Sequence, residues 1–204
     1  MRLSKGNKLL ILGILLVVID QIIKIVVKVN MEIGQHIYVI GNWFQILFIE
    51  NEGMAFGMSF GGAVGKFLLS FFRIGLFGAL CWWISTLVRK SVDKVPTGVL
   101  VGLTLITAGA LGNIIDSLFY GIIFGYAPFM FGRVVDMFYF PIIDTTWPSW
   151  MPFVGGNHFL FFAPVFNFAD SCVTVGALYL IFFQYKFFAR SDEPGKKNKA
   201  EPRK

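Results

Sequence analysis

Residues 95–116 read VPTGVLVGLTLITAGALGNIID, and this stretch decides the fold. No charged residue interrupts Val95–Ile115. About 20 apolar residues are what a helix needs to cross about 30 Å of hydrocarbon. The apolar character runs all round rather than along one stripe, as expected where lipid replaces water. Gly98, Gly102, Gly109 and Gly112 recur inside it and read as contacts for close helix packing, not as a phosphate loop. The stretch ends on Asn113 and Asp116, polar side chains that are costly beside lipid.

Three further segments pass the same test: Leu9 to about Val27, Phe67–Val88 and Phe166–Phe188. Composition agrees with them. Of 204 residues 56% are hydrophobic and 15% charged, where a soluble domain carries about a quarter charged; mean hydropathy is +0.69. A compact soluble core could not hide that much apolar surface, and disorder, collagen and disulfide scaffolds are excluded with it. The expected fold is an all-α polytopic membrane protein with four transmembrane helices, a small extracytoplasmic β-element and a short interfacial helix near Gly53–Phe60. Tyr120–Phe131 is apolar but short and broken by Gly121, Gly125 and Pro128, so it reads as an interfacial or re-entrant piece. The N-terminus resembles a signal peptide, but no small-residue cleavage site follows and the run holds Asp20, Gln21 and Lys24, so a retained helix is expected. Cys81 and Cys172 stand at no motif spacing and read as small buried hydrophobes.

The net charge of +6 reflects basic residues flanking the apolar segments and does not point to nucleic acid. Arg2, Lys5 and Lys8 precede the first span, Arg89, Lys90 and Lys94 lie between the second and third, and Lys186 to Lys204 fill the end. The connections 30–65 and 119–165 hold only Arg133. The positive-inside rule then puts both termini in the cytoplasm and the two long connections outside. This gives a single membrane-embedded domain, residues 1–190, and a basic, solvated tail, 191–204. Gln35–Ile49 has β-branched and aromatic residues around Gly41-Asn42, the pattern of a hairpin. The second connection carries Trp147 and Trp150, residues that favour a membrane surface.

Ionisable residues inside such segments are functional suspects. Asp20 and Lys24 are four apart on one helix face and read as a structural ion pair. Arg73, near the outer end of its helix, reads as snorkelling to the interface. Asn113/Asp116 and Asn167/Asp170 are each three apart, and both pairs fall at the outer ends of antiparallel helices, where Asp136 can join them. Two carboxylates held close in low dielectric share a proton, which makes one a base and the other an acid. Spacing does not choose which two pair, and a hydrogen-bond network tying the helices together accounts for the same residues. His36 and His158 are isolated, so no metal site is expected.

Five motifs in order resemble the lipoprotein signal peptidases (signal peptidase II), bacterial membrane aspartyl proteases. They are Asp20-Gln21-x-x-Lys24, Asn51-Glu52-Gly53-Met54-Ala55-Phe56, Gly109-Ala110-Leu111-Gly112-Asn113-Ile114-Ile115-Asp116, Gly132-Arg133-Val134-Val135-Asp136-Met137 and Phe166-Asn167-Phe168-Ala169-Asp170. The resemblance implies a catalytic dyad of Asp136 and Asp170, with Asn51, Gly53, Asn113, Asp116 and Asn167 lining or supporting the substrate site. It implies cleavage of prolipoproteins before a diacylglyceryl-modified cysteine at the bacterial inner membrane, inhibition by globomycin, no cofactor and no metal. A monomer among membrane lipids is expected, with its active site near the outer face. Two departures stand out. Ser117 occupies the position after Asp116 where the family usually has Arg, and Arg133 is the candidate to supply charge instead. Residues 120–132 and 140–164 look like extra material, with Asp144 a solvated loop carboxylate.

Two rivals follow from the same residues. A small proton- or ion-coupled transporter would spread its polar residues through the membrane's depth, whereas here, apart from the first helix, they gather near one face. A non-catalytic, lipoprotein-binding homologue draws its support from Ser117.

Overall fold

The structure, a computed structural model, describes residues 3–52, 62–91 and 95–191. Helix α1 (Lys5–Asn30) is followed by strands β1 (His36–Ile40) and β2 (Phe44–Asn51), then helix α2 (Gly62–Ser91) and helix α3 (Thr97–Ile115). Three helices are long and apolar enough to cross a membrane: Lys5–Asn30, Gly62–Arg89 and Thr97–Ile123. Large apolar side chains such as Leu10, Ile14, Val18, Phe71, Trp82 and Phe183 lie exposed on the helices. In water such a surface would drive association; in lipid it is the ordinary outer face.

The third of these helices runs further than its sequence suggests. Beyond Ile115 it widens into a π-helical turn, Asp116–Tyr120, and closes with the short helix α4 (Gly121–Ile123). The start of Tyr120–Phe131 is therefore helical continuation, not a separate interfacial piece. π-turns inside α-helices are frequent at functional sites, and this one carries Asp116 and Ser117.

Helix α3 packs chiefly on α5 (Phe168–Phe183), and glycine permits the approach. A Cβ on Gly176 would lie 2.8 Å from the Gly102 carbonyl, and one on Gly109 would collide with the Ala169 carbonyl. A Cβ on Gly112 would lie 2.5 Å from Asp20 Oδ2, so α1 closes on the same seam. Leu9, Val95, Val99, Leu100, Leu103 and Leu180 form the core at one end of the bundle. Lys5 Nζ donates to the Val95 carbonyl at that end (3.0 Å).

At the other end the β-element is larger than a hairpin, so the molecule is not all-α. Strands β3 (Val134–Tyr139) and β6 (Val165–Phe166) extend β1 and β2 into an antiparallel sheet ordered β1-β2-β3-β6. Val27, Phe48, Tyr120, Val135 and Met137 make a second core beneath it. Strands β4 (Ile143–Thr146) and β5 (His158–Phe161) form a separate two-stranded sheet within the 140–164 stretch. Asp144 sits in β4, not in a loop, with its Oδ1 2.6 Å from His158 Nε2. Cys172 is buried, but Cys81 is exposed on α2. The interfacial helix expected near 53–60 and the tail from 192 lie outside the described residues. Helix α6 (Tyr185–Ser191) follows α5 after a break at Gln184.

Candidate active site

Antiparallel pairing brings the site together. Phe138 pairs with Phe166 across β3 and β6, so Asp136 comes beside Asn167, the residue that follows β6 and starts α5. On its other edge β3 pairs with β2, Ile49 opposite Asp136 and Asn51 opposite Val134. Strand alternation turns Val135 and Met137 into the core they share with Val27 and Tyr120 and puts Asp136 on the opposite face, where Asn51 and Asn167 meet it.

Asn167 is the N-cap of α5. Its Oδ1 accepts from the Asp170 amide (2.9 Å) while Asp170 Oδ2 accepts from the Asn167 amide (3.2 Å), a reciprocal capping box. The same side chain reaches across: Asn167 Nδ2 donates to Asp136 Oδ1 at 2.6 Å. Asp136 Oδ2 accepts from Asn51 Nδ2 at 3.2 Å, and Asp170 Oδ1 from Asn113 Nδ2 at 2.7 Å. Asn113 Oδ1 in turn accepts from Lys24 Nζ (2.9 Å) and Asn167 Nδ2 (3.1 Å). Asp136 and Asp170 are thus held by one residue, Asn167, through its side-chain and its backbone amide respectively, and each has a second asparagine of its own. Burial pushes the Asp136 carboxyl up to about 7, with the neighbouring charge of Asp170 acting in the same direction.

Lys24 lies beneath this pair. It bridges Asp20 Oδ2 at 2.9 Å and Asp116 Oδ2 at 2.7 Å, all three side chains being buried. Gln21 Nε2 donates to Asp116 Oδ1 (2.9 Å), and the Ala169 amide donates to Asp20 Oδ1 (2.8 Å). The expected Asp20–Lys24 pair is therefore part of a larger cluster that fastens α1 to the start of α5 and holds Asp116. Asp116 belongs to this ion cluster and does not touch Asp136 or Asp170 through any hydrogen bond described.

Two arginines are placed differently from the sequence reading. Arg133 does not supply charge to Asp136: its Nη1 pairs with Glu50 Oε2 at 3.2 Å, and Glu50 also pairs with Lys28. The two residues are three apart at the edge of an extended strand, which points them to opposite faces. Arg73 does not snorkel to the interface; it turns inward, and its Nη1 donates to Ser117 Oγ at 3.3 Å. Ser117 was noticed as a departure and Arg73 as an oddity, and nothing in their sequence spacing links them. Gly53 lies outside the described residues. Among the described residues no group of three or more His, Cys, Asp or Glu is arranged to hold a metal ion.

Two carboxylates, one buried and one half-buried, held through one asparagine where a sheet meets a membrane bundle are an arrangement that suits a membrane aspartic peptidase. The chain belongs to the signal peptidase II family, whose sequence profile matches residues 12–186. It is 48% identical over 195 residues to a lipoprotein signal peptidase of Porphyromonas gingivalis, covering 88% of this chain and 84% of that one. It is 36% identical over 178 residues to one from Amoebophilus asiaticus, covering 83% and 74%. A bacterial membrane enzyme solved in meso at 2.3 Å shares the fold, with a TM-score of 0.62 and 23% identity over 94% of this chain and 95% of that one. A second, solved at 1.9 Å, has a TM-score of 0.59 and 25% identity over 88% and 94%.

Proposed function

We propose that Asp136 and Asp170 are the catalytic pair with which this chain, an aspartic peptidase, removes signal peptides from prolipoproteins. The observation that carries the assignment is Asn167, whose side-chain amide holds the Asp136 carboxylate while its backbone amide holds that of Asp170. A carboxyl raised to about 7 holds a proton near neutral pH, which suits Asp136 as the acid of the pair. Asp170 then takes a proton from a water molecule, and that water attacks the scissile carbonyl. Asp136 donates its proton to the carbonyl oxygen as charge develops there. When the tetrahedral intermediate collapses, the amine leaves with a proton and the pair returns to one proton shared between two carboxylates.

Asn51, Asn113 and Asn167 orient the carboxylates, and Asp116 acts through Lys24 to hold Asn113. The scissile bond precedes a diacylglyceryl-modified cysteine, whose acyl chains remain in hydrocarbon beside the helices. Four spans fit this role. Helix α5, at 16 residues, rises about 24 Å, and α6 supplies the remainder of the crossing. At the end remote from the dyad Lys5 of α1 contacts Val95, just before α3, so that end carries a basic residue. That arrangement supports cytoplasmic termini and an active site at the outer face of the inner membrane. The protein works as a monomer, without cofactor, and globomycin blocks it.

The test is a gel-shift assay of purified protein on diacylglyceryl-modified prolipoprotein. Wild type should cleave, and globomycin should stop it. Asp136→Asn and Asp170→Asn should each leave the substrate intact while remaining folded; processing by either variant at the wild-type rate removes the dyad assignment.

A further inference from the structure

The geometry points to Arg73 of α2 as the positioning residue that holds the negative charge of the Asp136–Asp170 pair, docked through Ser117. This rests on the dyad reading above and adds a cation to it.

The charges around the site make the case. Four carboxylates, Asp20, Asp116, Asp136 and Asp170, are gathered at the site, and of the ammonium groups of α1 at this end Lys24 lies among them while Lys28 is paired with Glu50. Lys24 is committed: it bridges Asp20 and Asp116 at 2.9 and 2.7 Å and donates to Asn113 rather than to either member of the pair. With one proton on the pair the cluster carries three negative charges against that single positive one. A buried carboxylate with no nearby cation is expensive.

Arg73 is the group that answers this. It lies half-buried on α2, a helix whose most apolar window is only 6% buried. Its Nη1 donates to Ser117 Oγ, and Ser117 Oγ donates onward to the Asn113 carbonyl at 2.9 Å. The contact sits on the π-turn one residue past Asp116 and one helical turn beyond Asn113, which itself donates to Asp170. Arg133, the other arginine near the sheet, is occupied with Glu50. An arginine suits this place because its fork is always charged and can keep one donor on a serine while its charge faces a carboxylate.

Because Ser117 Oγ lies 3.3 Å from the guanidinium, residues 73 and 117 address the same space from two helices. A guanidinium carried at 117 should therefore replace one carried at 73, and the two together should repel. The groups that face the pair are Lys24 and Asp20 of α1, Arg73 of α2, Asp116 and Asn113 of the third helix, Asn51 of β2 and Asn167 of α5. Of the two cations among them, Arg73 is the one not bound to Asp20 and Asp116.

The experiment uses full-length protein in detergent, diacylglyceryl-modified prolipoprotein and kcat/KM measured from pH 5 to 9. Arg73→Gln should lower kcat/KM by about a hundredfold and move the acidic limb of the profile up by about one pH unit, because loss of a cation favours the protonated pair. Arg73→Lys should keep the limb in place at a reduced rate. Ser117→Arg alone should lower activity, whereas Arg73→Ala with Ser117→Arg should exceed Arg73→Ala alone by at least about tenfold. Arg73→Gln with wild-type rate and profile overturns the proposal. So does a slow Arg73→Gln whose limb has not moved, or an Arg73→Ala defect that Ser117→Arg fails to relieve; either marks a packing role. Asp136→Asn and Asp170→Asn run alongside: cleavage by either ends the dyad reading and Arg73's role with it, while dead Asn variants beside a normal Arg73→Gln end Arg73's role alone.

Discussion

The spans of α2 and α3 are almost equal in length, 28 and 27 residues, yet 50% of the most apolar window of α3 is buried and 6% of that of α2. Both are glycine-bearing apolar helices, so hydropathy does not separate them. What separates them is what their glycines meet. A Cβ on Gly75 or Gly78 of α2 would meet no other described part of the molecule within 4 Å, whereas one on Gly102, Gly109 or Gly112 of α3 would run into another helix. In lipid no hydrophobic force draws two helices together, so close backbone approach and polar contacts decide which helix is central. Helix α3 has both, and α2 reaches the site mainly through Arg73.

Substitutions can break that contrast. The largest effect is expected from Gly109→Leu, whose side chain has no room against the Ala169 carbonyl and Val173; folded protein should be lost on size-exclusion chromatography, while Gly75→Leu elutes as wild type. Equal harm from both would show that α2 is packed as tightly as α3. Next comes Lys24→Met, which leaves Asp20 and Asp116 buried without their cation and should cost about 3–5 kcal/mol in an unfolding titration.

A smaller effect concerns pH. Asp136 has a raised pKa in the folded protein, about 7 against 3.8, so the folded state holds its proton more tightly than the unfolded state does. Its contribution is most favourable below about 4, weakens as pH rises, and is fully a penalty above about 7. Asp136→Asn should therefore raise the melting temperature at pH 9 and change it little at pH 4; an equal change at both would contradict the burial of this carboxyl. The smallest effect belongs to Gly78→Ala, which should stabilise α2 by at most about 1 kcal/mol and leave prolipoprotein cleavage unchanged.

Much of this contrast was legible in the sequence, and some was not. The uncharged run Val95–Ile115 and its glycines mark a span in close contact with other helices, because helix packing in lipid leaves a local signature of small residues. The Asn-x-x-Asp spacing at 167–170 placed an amide beside a carboxylate because three residues are one helical turn. Strand β3 has no such signal: Val134–Tyr139 is short, and its partners lie far off in the chain, Asn51 opposite Val134 and Phe166 opposite Phe138. Had it been read as a strand, the three-residue step from Arg133 to Asp136 would have told that they face apart. The inward turn of Arg73 has no local signal, since its partner Ser117 lies on another helix. The widening of the third helix past Ile115 is likewise invisible in composition, for it depends on what packs around Asp116.

The double duty of Asn167 has a consequence for how such a protein can change over generations. Serine, threonine or aspartate would begin α5 nearly as well, so selection for a sound scaffold tolerates them. None of them carries an NH₂ group to hand across to the adjoining strand. A lineage that drifts at this codon would keep an intact body in the membrane and inherit, unnoticed by any measure of folding, an idle one.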